Sequence, residues 1–200
     1  MAVEISVNQL PGAAPLAVSW DEVTSIFEAV LAHEQVDRLC LVDVTVADDV
    51  AMAELNEEWR GVQGSTDVIS VECERPDDPD LAPGEPCSLG DIALAPAFIA
   101  AQAPHFNNSP AQETRLLLIH GLLHLLGYDH VTDEEAAIME PLEDALLAQV
   151  SGQPVASATT TRHRHDPLVV EAESKAAGSD ATPQDVRSQG AQAQEGRVAP

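Results

Sequence analysis

Between residues 23 and 31 the apolar side chains Val23, Ile26, Phe27, Val30 and Leu31 recur at intervals of three and four, the stripe of an amphipathic helix. Ser19 with Glu22 three residues on forms a capping box that sets its start. Cys40, Val42, Val44 and Val46 then alternate with Leu39, Leu41, Asp43 and Thr45, the period-two rhythm of a strand with one face more deeply buried. Val3 to Val7 reads as an earlier strand, and Met52, Leu55 and Trp59 mark a second amphipathic segment that ends at Arg60. Val68 to Val71 is a short β-prone run opened by Thr66 and Asp67, which suit a turn. Residues 73 to 88 hold four prolines and several acids, the composition of a loop. Gly90 and Asp91 read as a turn or the start of a strand.

A different pattern follows. Leu116, Leu117, Leu118, Ile119, Leu122, Leu123, Leu125 and Leu126 leave no side of their helix fit to face water. Ser109, Pro110 and Gln112 supply its N-cap, a proline in the first turn and a box partner, so the helix is predicted from about Pro110 to Leu126. Thr132 with Glu135 opens one more helix, with Asp133 and Glu134 near its positive end and Ile138, Met139, Leu142, Leu146 and Leu147 as the expected buried stripe. Met139 belongs to that helical pattern, which makes it a packing residue. Strands and helices mix without a βαβ rhythm, so the expected class is α+β: a small mixed β-sheet packed with several helices.

Chemistry enters with the histidines of this apolar helix. His120 and His124 stand one turn apart on the same face, and Gly127 can take the left-handed conformation that closes the helix and lets His130 return toward them. A single histidine on a leucine-rich face is ordinarily a packed core residue. Three at this spacing point to one metal ion, because a buried unpaired imidazole carries a desolvation cost that ligation offsets. Three imidazoles with a fourth position left to water describe a catalytic zinc site, whereas structural zinc usually has four protein ligands, many of them cysteine. The spacing H-x-x-x-H-x-x-G-x-x-H is shared with metzincin peptidases, whose second position is a glutamate acting as general base. Here it is Gly121. A glycine inside a helix costs about 1 kcal/mol against alanine, and so asks for a close approach by substrate or by another chain segment.

The run His120-Gly121-x-Leu123-His124-Leu125-x-Gly127-Tyr128-Asp129-His130 resembles the signature of the YbeY family of bacterial rRNA-maturation endoribonucleases. Leu55-Asn56 followed by Arg60, then Thr66-Asp67-Val68-Ile69-Ser70, then Leu89-Gly90-Asp91-Ile92 resemble its other motifs in the same order, over about residues 1 to 150. Val71 departs from it, standing where the family usually carries phenylalanine. The resemblance implies a compact α+β fold, one Zn2+ on His120, His124 and His130, and single-strand-specific cleavage of ribosomal RNA precursors during assembly of the small ribosomal subunit. It also matches Arg60 to the family's phosphate-clamping arginine, while a residue at a helix end also serves as a macrodipole partner. Asp129 beside a ligand suits either orienting an imidazole or stabilising the turn. Two other functions share the metal: a metzincin-like metallopeptidase, and a non-catalytic ribosome-assembly factor with a structural ion.

Charge complicates an RNA substrate. Residues 1 to 152 carry 28 Asp and Glu against 4 Arg and no Lys, a formal net of −24, whereas phosphate affinity normally rests on basic side chains. The four are Arg38, Arg60, Arg75 and Arg115. A metal adds positive charge where a phosphate must sit, and salt shortens the reach of the remaining field to ~8 Å. Beyond residue 152 the composition shifts to Ser, Thr, Ala, Gln, Gly and Pro without apolar periodicity, so the expected organisation is a metal-dependent endoribonuclease domain at 1–152 and a disordered tail at 153–200. His163-Arg164-His165 in that tail has no scaffold and is expected to hold no metal firmly. Cys40, Cys73 and Cys87 lack C-x-x-C spacing, an even count and a preceding signal peptide, which points to the reducing cytoplasm. No apolar run approaches the ~20 residues needed to span a bilayer, so no membrane partner is expected.

Overall fold

The computed structural model describes residues 3–151. In chain order the elements are β1 (Val3–Gln9), α1 (Trp20–His33), β2 (Cys40–Val46), α2 (Asp49–Arg60), β3 (Val68–Glu72), β4 (Cys87–Leu94), α3 (Pro96–Gln102), a 3-10 turn at Ala103–Phe106, α4 (Pro110–Leu125) and α5 (Asp133–Ser151). The expected tail and its histidines lie outside the described residues.

The strands form one mixed sheet in the order β1-β2-β4-β3. β1 and β4 run parallel to β2, and β3 pairs antiparallel to β4, so the class is α+β. Alternation along the strands divides the side chains between two faces. One face, with Val42, Val44, Ile92 and Leu94, is covered by α1 and α4, against which α5 packs, and forms the main core. Ile69 and Ala93 point the other way and meet Met52 and Leu55 of α2 in a smaller cluster.

The N-caps form at the expected residues, though α1 makes only half of its box, the Glu22 carboxylate pairing with Arg115 instead. Ser19 accepts the Glu22 N–H, Ser109 and Gln112 make a reciprocal box, and Thr132 does the same with Glu135. Helix α4 is central, with Leu116, Leu117, Leu118, Ile119, Leu122, Leu123 and Leu125 no more than 2% exposed. Truncating any one to alanine would cost about 2–5 kcal/mol, which makes α4 the rigid axis on which the histidines are mounted.

Two expectations need correction. Gly90 and Asp91 lie inside β4, with Asp91 opposite Asp43 of β2 and Val71 of β3. The register slips between Leu41 and Val42, and Gly90 there has φ +129; a Cβ on it would stand 2.1 Å from the Val71 carbonyl oxygen. A residue that usually marks a turn is needed instead for a close pass between strands. In α5 the buried stripe is Ala136, Met139, Glu143, Leu146 and Leu147, while Ile138 is 63% exposed. Packing against α4 has rotated the helix so that a glutamate, not Ile138, faces inward.

Candidate metal centre

The last turn of α4 and the turn after it build the site. Leu126 caps the helix, the Gly127 N–H reaches the His124 carbonyl and the Tyr128 N–H reaches that of Leu123, the paired bonds of a Schellman motif. Gly127 takes φ +90, and the guanidinium of Arg75 lies where its side chain would be. The Tyr128 hydroxyl then donates to Glu34 at 2.8 Å, tying the turn to the end of α1. The chain is thus carried back until His130 faces His120 and His124.

One ligand atom from each of the three imidazoles lies within 4.8 Å of the others, and ring centroids are 4.5 to 5.1 Å apart. His120 Nε2 and His124 Nε2 are 3.1 Å apart. Nitrogens bound to one tetrahedral zinc at ~2.05 Å stand about 3.3 Å from each other, so the spacing suits a shared ion. Burial and the neighbouring imidazoles push His120 and His124 down to about 3, which keeps them neutral, the form in which histidine binds metal. Among the described residues these three make up the candidate metal group. The donor set, the separation and the protonation state all fit one divalent ion.

Behind His120 lies Glu143 of α5, 1% exposed, whose Oε1 stands at hydrogen-bond distance, 2.5 Å, from His120 Nδ1. Sequence reasoning missed it. The available signal was an acid set among Ala136, Met139, Leu146 and Leu147, directly after a histidine motif. Asp129 accepts the His130 backbone N–H at 2.7 Å and so serves the turn.

Gly121 answers to the sheet. A Cβ there would meet Ser70 Oγ at 3.0 Å and two Ile92 carbons at 3.3 Å, so its absence lets α4 sit close on β3 and β4. Asp67 accepts from the Thr66 hydroxyl and the Val68 N–H and binds Gln102 at 2.6 Å, which is a structural turn. Arg60 ends α2, followed by Gly61 at φ +70, and belongs to the helix on the opposite face of the sheet from α4. Arg38, Arg75 and Arg115 are engaged by the Glu85 carbonyl, Glu72 and Glu22. Among the described residues Arg60 is the arginine that makes no hydrogen bond or ion pair.

Cys40, Cys73 and Cys87 are free thiols. Burial and Cys40 push Cys87 up to about 11, which makes it an inert packing group. No helix among the described residues is long and apolar enough to cross a membrane.

A mixed sheet with a buried histidine helix, a returning third histidine and a carboxylate behind the first defines an α+β protein with a three-histidine group that could hold a metal ion. Residues 16–151 match the family described as endoribonuclease YbeY, and the chain belongs to that family. It is 41% identical over 164 residues to the endoribonuclease YbeY of Micrococcus luteus, covering 80% of this chain and 98% of that relative. With the Moorella thermoacetica protein of the same description it shares 39% over 152 residues, or 74% of this chain and 97% of the relative. The solution structure of a Thermotoga maritima protein aligns with a TM-score of 0.52 at 23% identity, covering 83% of this chain and 95% of that one, a likeness of fold.

Proposed function

We propose that this protein is a zinc-dependent endoribonuclease of the cytoplasm that cuts single-stranded segments of ribosomal RNA precursors, working with components of the small ribosomal subunit. The observation that carries the reading is the convergence of His120, His124 and His130 in a chain that belongs to the endoribonuclease YbeY family. When bound, a zinc ion would supply Lewis-acid stabilisation of a phosphate's developing charge and acidify water at the position the protein leaves open. The protein's part is to hold His120 and His124 on a densely packed helix and to bring His130 back to them from the turn that follows. Arg60, uncommitted to any partner in the fold, is the side chain available to steady a phosphate. Free, widely spaced cysteines accord with a reducing compartment.

The peptidase reading lacks its base. The position that would carry a glutamate is Gly121, and the space beside it is filled by Ser70 and Ile92. A purely structural ion is disfavoured by a donor group that, among the described residues, holds three histidines and no cysteine, since structural zinc sites close with four protein ligands, many of them cysteine.

The test is cleavage of a short single-stranded RNA and of its duplex by the full chain carrying one equivalent of zinc, after chelation, after zinc is returned, and with His124→Ala. The single strand alone should be cut, and cutting should stop on chelation and resume with zinc. His124→Ala should lower kcat/KM by about a hundredfold or more, because an ion's contribution amounts to several kcal/mol. Undiminished cleavage after chelation would overturn the proposal. Zinc-dependent hydrolysis of peptides instead of RNA would establish the peptidase, and tight RNA binding without cleavage would establish the assembly factor.

A further inference from the structure

Glu143 is hard to explain by packing. The buried stripe around it is Ala136, Met139, Leu146 and Leu147, and a leucine in its place would avoid the several kcal/mol that a carboxylate loses on leaving water. The side chain is 1% exposed, and one oxygen lies 2.5 Å from His120 Nδ1. An imidazole that donates its Nδ1 proton to a carboxylate carries its lone pair on Nε2. His120 Nε2 is the atom that stands 3.1 Å from His124 Nε2, on the side of the ring turned toward the other histidines. The ring cannot flip without breaking this bond to a buried carboxylate. Asp129, the acid nearest in sequence, is committed to the His130 backbone N–H.

We propose that Glu143 is the positioning residue of the metal centre, holding His120 with Nδ1 protonated and Nε2 aimed at the ion, and strengthening that nitrogen as a donor. The inference rests on the reading that the three histidines bind a metal. It also makes α5 part of the site, since the carboxylate arrives from a helix that begins beyond His130. Metal loading then tightens the docking of α5 on α4.

Zinc affinity of the full chain, measured by competition with a chromophoric chelator, tests this without reference to activity. Glu143→Gln keeps an acceptor but removes the charge, and should weaken zinc binding by about 10- to 100-fold. Glu143→Leu removes both and should weaken it further, while the melting temperature of metal-free Glu143→Gln stays near that of the wild type. Nitrogen-15 NMR of wild-type imidazoles supplies a readout that needs no variant to fold: His120 should show a protonated Nδ1 and, with zinc, a ligated Nε2. Wild type that binds zinc while Glu143→Gln binds it equally well would overturn the positioning role alone, as would a His120 protonated on Nε2. Wild type that binds no zinc would overturn the metal reading and this role with it.

Discussion

Near the start of α4, Glu113 is as thoroughly buried as Glu143 is beside its last turns, at 1% exposure each. Asn108 donates to Glu113 at 2.7 Å and Gln102 approaches it at 3.5 Å, while Gln102 also donates to Asp67 at 2.6 Å. Neutral amides thus stitch the end of α3, the start of β3 and the first turns of α4 together. At the other end the carboxylate meets an imidazole whose far nitrogen is directed at two further imidazoles. Both acids satisfy the requirement that buried charge be hydrogen-bonded. What separates a brace from a functional centre is the partner: an amide has nothing further to offer, whereas an oriented imidazole passes the carboxylate's influence on to a ligand.

The largest effects should come from exchanging lesions between these ends. His130→Ala should reduce bound zinc from one equivalent to near none and cleavage by a hundredfold or more, with little change in the melting temperature of the metal-free protein. Zinc analysis together with calorimetry reads both quantities, and retained zinc would remove His130 from the site. Glu113→Ala should do the reverse. It takes from the half-buried Asn108 amide its carboxylate partner, leaves Gln102 held by Asp67, and lowers the melting temperature by a few degrees, yet leaves zinc stoichiometry at one.

A third prediction concerns whether the α2 side of the sheet serves the histidine side. Arg60→Ala should lower kcat/KM for RNA by roughly 10- to 100-fold, the worth of a hydrogen bond to a charged group, with zinc content unchanged. In the chain ended after residue 152, where the other three arginines are engaged, the slope of log affinity against log salt for single-stranded RNA should be about −0.7, and close to zero in the variant. Equal slopes in the two proteins would remove Arg60 from the substrate path.

The smallest effect lies on the outer sheet face, where burial and Asp43 opposite raise Asp91 above the usual carboxylate range. The native state then keeps this proton to higher pH than the unfolded chain does. Stability from the group is complete below the unfolded value of 3.8 and is lost as pH rises through the raised native value. Asp91→Asn should therefore raise the neutral-pH melting temperature by about 1–2 °C, the scale of a solvent-screened charge pair, and the gain should vanish in acid. A gain that persists at pH 3 would trace to packing.

Each element that was legible beforehand was encoded within about four residues of itself. Ser19 with Glu22, Ser109 with Gln112 and Thr132 with Glu135 are contacts inside one helical turn, and the stripe from Val23 to Leu31 is a spacing that folding cannot alter. His120 and His124 belong to the same category, and Gly127 announced the turn that brings His130 back. The sequence by itself therefore determined the helix carrying the site, the donor set and the family. The tertiary structure decided which side of each element faces which neighbour. Ile138 and Glu143 exchange their expected places because α5 settles on α4 by the fit of Met139, Leu146 and Leu147, and periodicity alone leaves that rotation open within a residue or two. Gly90 sits within a strand because the Val71 backbone passes too close for any Cβ, and Gly121 sits within a helix against Ser70 and Ile92, whose side chains would have to give way to a Cβ. Among the described residues three arginines have partners and Arg60 has none, which no spacing reveals, since a charge pair such as Arg115 with Glu22 joins residues 93 positions apart. Local propensities act over a single turn, while burial, pairing and the orientation of a ligand depend on surfaces that meet only once the chain has folded.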